Sequence, residues 1–323
     1  MSTELQLQKW QKTIELLAEL YGASSVSIVE LKNDSLEIMV TSGQGKNSLD
    51  EVNSIFPLKT KSYCRRILET DDMLYVRQSD KDPYWHTDTP ESLSQISSYL
   101  GFPIRRPDQS FYGTICVKNE QSTDYSDVFL RTLEQFRDLV EADLLLEEKN
   151  RQLEIMANTD TSTGCANRRG LESYVQRQSQ DDNMGWGVLY FDLDNLKATN
   201  DRFGHQFGDQ AIELLGTILS QQAREDDIAA RVGGDEFVLI ARLPSIDLLE
   251  LIKERIITSF EQSKSQMHEL SLMGVSVGIS FLDAGTEDVN IDTLLSYADE
   301  QMYEFKKAKK AKLAAQGIVI KRS

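Results

Sequence analysis

Gly233-Gly234-Asp235-Glu236-Phe237 lies between two short apolar runs, Ile228 to Val232 and Phe237 to Ile240. Strand-like runs joined through a Gly-Gly pair read as a hairpin, because glycine adopts the positive-φ conformations that tight turns need. Without side chains, the pair also lets a bulky ligand come close to the backbone. Two acids sit at the turn. Taken alone, the segment reads equally well as an acidic solvent turn, since Gly and Asp are ordinary turn residues.

About forty residues upstream a second acidic strand end appears. The apolar run Gly187 to Phe191 ends in Asp192-Leu193-Asp194 and continues as Asn195-Leu196-Lys197-Ala198-Thr199-Asn200-Asp201, a strand, an acidic turn and a helix start. A carboxylate at one strand end facing another on a hairpin makes a two-carboxylate site for Mg²⁺, which keeps several waters and bridges one or two protein carboxylates to substrate phosphates. Lys197 adds positive charge where the free N–H groups of a helix start already favour an anion. These residue types point to a metal-bound nucleotide polyphosphate.

Several separated motifs over residues 160–310 resemble the GGDEF-domain diguanylate cyclases. Asp160-Thr161-Ser162-Thr163-Gly164-Cys165-Ala166-Asn167-Arg168-Arg169 resembles D-x-L-T-G-L-x-N-R-R, with Ser162 and Cys165 where leucines are usual. Asp192 to Asp201 resembles D-x-D-x-F-K-x-x-N-D, with Leu196 in place of Phe. Gly204-His205-Gln206-Phe207-Gly208-Asp209 resembles G-H-x-x-G-D. Ala298-Asp299 through Tyr303 and Lys306 resembles A-D-x-A-L-Y-x-A-K, but Lys309-Lys310 stands where Gly-Arg follows in the family.

The resemblance implies joining two GTP molecules into cyclic di-GMP with release of pyrophosphate, on a palm-like α/β fold with a mainly antiparallel sheet. Asp192, Asp235 and the backbone carbonyl of Leu193 are then expected to hold Mg²⁺, with Mn²⁺ as a substitute. Asn200 and Asp209 are expected to read the guanine edge, where adenine would leave the Asp209 carboxylate facing an acceptor. Lys197, Lys306 and Lys310 are expected to pair with phosphate oxygens, although a lysine at 310 cannot reproduce a bidentate arginine contact. Glu236 is suited to polarise or deprotonate a ribose 3′-hydroxyl. Because each domain offers one GTP pocket, two must face each other, which implies a homodimer.

Arg224-Glu225-Asp226-Asp227 places an R-x-x-D pair before the Ile228 strand, at the family's spacing for a site where the product inhibits. Arg224 and Asp227, helped by Arg255, are the residues expected to bind cyclic di-GMP there. From local sequence alone the pair reads as a helix-end salt bridge, which would be exposed and contribute little. His205 reads as structural, with no second His or Cys at ligand spacing. Arg168 and Arg169 also read as structural, and the lysine run from Lys306 to Lys312 would ordinarily be a solvated helix face.

The 323 residues suffice for two domains. The net charge of -17 is spread evenly, -8 over 159–323 and -9 upstream, so nucleic acid and anionic membrane are not expected as partners. Cys64, Cys116 and Cys165 have neither metal nor C-x-x-C spacing. With no apolar stretch near membrane-spanning length and no signal-peptide character at Met1-Ser2-Thr3-Glu4, a cytoplasmic location is expected.

Two domains joined by a helical linker are expected: 1–125, then the linker over 126–158, then 159–323. Leu5 to Tyr21 reads as a helix, Val26 to Val29 with Leu36 to Val40 as a hairpin, and Gly101 to Ile104 with Phe111 to Val117 as a strand pair. Ser62-Tyr63-Cys64 through Glu69, Asp80 to Tyr84, and Gly101 through Val117 resemble a GAF domain. That half is expected to sense an unknown small molecule or only to dimerise, with Trp85 and His86 read as packing and surface residues. Ser126 to Ala157, without Pro or Gly, is a helix read either as a parallel two-stranded coiled coil or as one amphipathic helix on its own GAF domain. In the catalytic half, strands are expected near Gly187–Asp192, Ile228–Val232, Phe237–Arg242, Leu272–Leu282 and Ile318–Lys321. Helices are expected over Glu172–Gln180, Asp209–Ala223, Ser245–Ser263 and Ile291–Lys312. A catalytically silent cyclic di-GMP receptor or scaffold is the alternative to an active cyclase.

Overall fold

The computed structural model describes residues 2–43, 51–82, 84–85, 89, 95–177, 184–285 and 291–315. The chain forms two compact units, Met1–Gln152 and Leu153–Ser323. The first opens with helix α1 (Ser2–Tyr21) and strands β1 (Ser25–Lys32), β2 (Ser35–Thr41) and β3 (Ile55–Pro57). Helix α2 (Tyr63–Thr70), β4 (Leu74–Val76), β5 (Ser98–Arg105) and β6 (Phe111–Asn119) follow. The strands form one antiparallel sheet in the order β3-β2-β1-β6-β5-β4. Asn33 and Asp34, at φ 49° and 60°, make the expected β1–β2 turn.

Side chains alternate across this sheet with the period of two that a strand imposes. Ile28, Ile115 and Val117 pack with Trp10, Ile14 and Leu17 of α1, while Val29, Tyr99 and Cys116 pack with Tyr63, Cys64 and Ile67 of α2. Trp85 is buried in the second layer with its ring 4.5 Å from that of Tyr63, a packing role as expected. His86 lies outside the described residues.

Helix α3 (Asp127–Asn158) runs 32 residues without a break, as a stretch lacking Pro and Gly should. Leu133 and Val140 are buried against α1 and the sheet. Leu139, Leu146 and Leu153, spaced by seven, are exposed.

The second unit contains β7 (Ala166–Asn167), α4 (Arg168–Arg177), β8 (Gly185–Asp194), α5 (Leu196–Phe203), α6 (His205–Gln222) and β9 (Ile228–Arg231). It continues with β10 (Glu236–Leu243), α7 (Ile246–Lys264), β11 (Gly274–Leu282) and α8 (Ile291–Ala315). The sheet order is β11-β8-β10-β9-β7, antiparallel except for the short parallel pair β7·β9. All ten residues of β8 are buried, and its alternating side chains feed two cores. Leu189, Phe191 and Leu193 pack with α6 and α7. Val188 and Tyr190 pack with α4 and α8.

Gly278 sets how closely α8 approaches. A Cβ there would lie 1.8 Å from the Ala298 carbonyl oxygen and 2.8 Å from the Met302 Cβ, so α8 rests directly on the β11 backbone. Ala298, Met302, Lys306 and Lys309 form one stripe at helical spacing, which carries the two lysines down to the acidic end of β8.

The expected elements are present with shifted bounds. β8 runs two residues further at each end, from Gly185 to Asp194, and pairs with β11 from Trp186 opposite Leu282 to Asp194 opposite Gly274. α4 starts at Arg168 and α6 at His205, directly after the break at Gly204, whose φ is 99°. The pair β7·β9 had no sequence signal, two residues being too short for periodicity. The expected strand Ile318–Lys321 lies outside the described residues.

Candidate active site

The hairpin and the end of β8 are in register: Glu236 stands opposite Asp192, and Asp192 stands opposite Ser276 on its other side. The Leu193 N–H donates to the Asp235 carbonyl at 3.1 Å, fastening the turn to the strand end. Asp192 and Asp194 are only 7% and 6% exposed. Each is compensated locally. The Lys306 ammonium donates to Asp192, and the Lys309 ammonium donates to Asp194 at 2.7 Å. The Ser276 hydroxyl lies 2.9 and 3.0 Å from the two Asp194 oxygens.

Negative charge still predominates. Burial raises the Asp192 carboxyl above the usual carboxylate range, and Asp235 and Asp194 add to the rise against the pull of Lys306. Burial likewise raises Glu236, seconded by Asp192, Asp235 and Asp299 and opposed by Arg168. Among the described residues, five carboxylates (Asp192, Asp194, Asp235, Glu236 and Asp299) thus face three cations, Arg168, Lys306 and Lys309. A divalent cation between Asp192 and Asp235 fits this donor set, since it would offset the surplus of two negative charges with hard oxygen ligands. Among the described residues no three His, Cys, Asp or Glu side chains form a ready-made cage. An ion here would therefore depend on water and substrate oxygens for the rest of its coordination.

Asn200 and Asp209 come together through helix geometry. A Cβ on Gly208 would lie 2.0 Å from the Asn200 Oδ1, so the Asn200 carboxamide rests on α6 beside Asp209. That oxygen is buried without a hydrogen-bond partner, while Asp209 is exposed. Lys197 is exposed in the first turn of α5. Lys310 lies outside the residues whose side chains are described. Arg224 and Asp227 bracket a turn: the Asp227 carboxylate accepts from the Arg224 N–H at 3.0 Å, and among the described residues the two side chains form no ion pair. Among the described residues, the helix-end salt bridge that local sequence alone suggests is not formed; a backbone cap takes its place and leaves the Arg224 guanidinium exposed, as is that of Arg255.

Sequence reasoning missed four residues. Ser276 is the one polar residue on the helix-facing side of β11 near its start, a break in the Val275-Ser276-Val277 run. Lys309 follows Lys306 by three positions and shares its face. Arg168, read as structural, acts electrostatically on Glu236 and Tyr190. Arg231 is the fourth: its guanidinium donates to the Gly234 carbonyl at 2.7 Å, to Asp160 at 3.2 Å and to the Ser162 hydroxyl at 2.6 Å. Burial raises the Asp160 carboxyl, but the donors Ser162, Thr163 and Arg231 outweigh it and hold the group below the usual range. A charged residue closing a short buried strand was the available signal.

Replacing Arg231 by alanine should lower stability by about 2 kcal/mol, the range of a charge-assisted hydrogen bond, because the Asp160 carboxylate and the hairpin carbonyl lose a shared donor. The urea unfolding midpoint reads this directly. An unchanged midpoint would show that the clamp is ornamental.

The diguanylate cyclase GGDEF-domain model matches residues 157–312, and the GAF domain model matches 8–144. Diguanylate cyclase DgcP of Escherichia coli K12 is 32% identical over 262 residues, 77% of this chain and 74% of that protein. The chain belongs to the GGDEF-domain diguanylate cyclases. It carries an N-terminal GAF domain, and its GGDEF domain supplies the site described above. Cyclic di-GMP phosphodiesterase PdeR, also of E. coli K12, is 34% identical over half of the cyclase chain, but the match spans only 25% of PdeR. Among solved structures, the coiled coil and GGDEF domain of DgcB from Caulobacter crescentus in complex with c-di-GMP covers 54% of this cyclase and 94% of that chain, at 24% identity and a TM-score of 0.48. No helix among the described residues is long and apolar enough to cross a membrane.

Proposed function

We propose that this cyclase condenses two GTP molecules into cyclic di-GMP with release of two pyrophosphates, as a homodimer whose GAF half modulates the rate. The observation that carries it is the register of Glu236 against buried Asp192, with Asp235 at the turn and Lys306 reaching across from α8. In this reading Asp192, Asp235 and the Leu193 carbonyl hold Mg²⁺ or Mn²⁺. When bound, the ion supplies charge neutralisation to the triphosphate. The chain's own groups do the rest. Lys306, which donates to Asp192, would be free to turn toward phosphate oxygens if that carboxylate held a metal, and Lys197 and Lys310 would add charge. Asn200 and Asp209 select guanine: the Asn200 amide donates to purine acceptors, and the Asp209 carboxylate accepts from ring and exocyclic N–H groups. Glu236, its carboxyl raised by burial and the neighbouring acids, is a stronger base than an ordinary carboxylate and is suited to taking the 3′-hydroxyl proton.

Each domain presents one such set of groups, so the two substrates must be brought together by two chains. The exposed Leu139, Leu146 and Leu153 repeat every seven residues along α3, the spacing of a coiled-coil seam, and support the dimer. Incubating purified protein with GTP and Mg²⁺ and resolving nucleotides by chromatography tests the proposal. Accumulation of cyclic di-GMP with pyrophosphate is expected. Tight cyclic di-GMP binding with no product would instead establish a receptor.

Arg224 and Asp227, with Arg255 from a neighbouring domain, are proposed to bind the product and restrain the domains from meeting. The exposed Arg224 guanidinium is free to grip phosphate or a guanine edge with its planar fork. Arg224→Ala should leave the initial rate nearly unchanged while weakening product inhibition by at least about tenfold, the scale of one lost charge-assisted contact. Equal inhibition of both proteins, or inhibition purely competitive with GTP, would overturn this role.

A further inference from the structure

The strand β6 segment Thr114-Ile115-Cys116-Val117-Lys118 alternates chemically. Ile115 and Val117 face the α1 core, whereas Thr114, Cys116 and Lys118 face α2, all three buried. An apolar helix would pack against apolar residues here. Instead α2 presents Cys64 to them. Cys64 and Cys116 share one buried cluster between α2 and β6, 7% and 0% exposed. The Tyr99 hydroxyl lies 3.3 Å from the Cys64 sulfur. Cys64 is the second residue of α2, whose first turn is capped by the Ser62 side chain accepting from the Arg65 N–H at 3.2 Å. Its sulfur therefore also feels the positive end of the helix.

We propose that Cys64 and Cys116 are a dithiol pair in the GAF domain that hydroperoxides oxidise to an intramolecular disulfide. The Cys64 thiolate attacks the nearer peroxide oxygen, the O–O bond breaks, and the departing alkoxide or hydroxide takes up a proton, leaving Cys64 as a sulfenic acid. The Cys116 sulfur then attacks the Cys64 sulfur. The S–O bond breaks, and the expelled hydroxide combines with the Cys116 proton as water. The two sulfurs together lose two electrons, and the peroxide gains them.

The order of attack follows from the surroundings. The polar groups near the Cys64 sulfur stabilise its anion: Cys116 has the largest effect and outweighs burial, the Lys118 ammonium adds charge, and Thr114 and Tyr99 donate, which lowers the thiol to about 6. Cys165, in the other unit, donates to the Gly216 carbonyl at 3.4 Å and has no cysteine beside it among the described residues, which makes it an internal control.

The test treats the full chain with hydrogen peroxide, alkylates the remaining thiols and maps peptides by mass spectrometry. Before alkylation the chain should be about 2 Da lighter than its reduced form; after it, one cross-linked peptide pair should join Cys64 to Cys116, with Cys165 alkylated and the cross-link fully reversed by dithiothreitol. Cys116→Ser should trap a dimedone-reactive sulfenic acid at Cys64. Cys64→Ser should slow oxidation of Cys116 by at least about tenfold, since the activated thiolate is gone. Wild-type mapping decides the matter even where a variant fails to fold. A chain that keeps all three thiols, one that stops at an oxygenated Cys64 with Cys116 alkylated, or one that forms only disulfides between chains would overturn the proposal.

Discussion

Asp192→Ala and Asp235→Ala are each expected to lower cyclic di-GMP synthesis by about 10³-fold or more while the domain stays folded, because each removes one of the two proposed metal carboxylates and with it the main neutralising charge on the triphosphate. The two variants should differ in stability. Asp192 is buried and paired with Lys306, so its loss leaves an ammonium at a desolvated position. Removing one partner of such a pair is strongly destabilising, and the half-buried setting of Lys306 moderates the loss. Asp235 sits on the turn, and replacing it relieves repulsion on Asp192 and Glu236 without stranding a cation. Asp235→Ala should therefore unfold at a urea midpoint equal to or above that of the wild type, and Asp192→Ala below it. Near-normal turnover in both variants, with unchanged metal dependence, would sink the site assignment.

The parts legible in the sequence were those written in local pattern. The hairpin at Gly233-Gly234, the strand ending in Asp192, and the helices at α6, α7 and α8 each announce themselves within a dozen residues. What stayed hidden depends on contacts between distant segments. Lys309 looked like one solvated lysine among several, because nothing local indicates that Gly278 lets α8 rest on β11 and bring that lysine to Asp194. Arg231 joins three segments, and two of its partners, Asp160 and Ser162, lie about seventy residues upstream. The pairing of Cys64 with Cys116 is hidden for the same reason. Cys64 and Cys116 are 52 positions apart with no motif spacing, and only the pairing of α2 with the face of β6 that carries Cys116 brings them together.

Inserting two residues at Asn150 should lower synthesis by about 10²-fold with GTP binding retained, since a small misplacement of reacting groups is enough for a loss of that size. Helix α3 is continuous from Asp127 to Asn158 and passes through the boundary between the two compact units at Gln152 and Leu153. Two added residues turn everything downstream by about 200° about the helix axis. They also break the seven-residue spacing that aligns exposed Leu139 and Leu146 with Leu153. In a dimer joined along that stripe, the two active sites would no longer present Glu236 of one chain to the substrate of the other. A seven-residue insertion at the same place separates phase from length. Seven residues turn the helix through about 700°, within roughly 20° of two full turns, and preserve the heptad while lengthening the helix by about 10 Å. That variant should keep most of its turnover. If both insertions leave synthesis intact, α3 is a passive tether; if both abolish it equally, helix length rather than helical phase governs how the active sites meet.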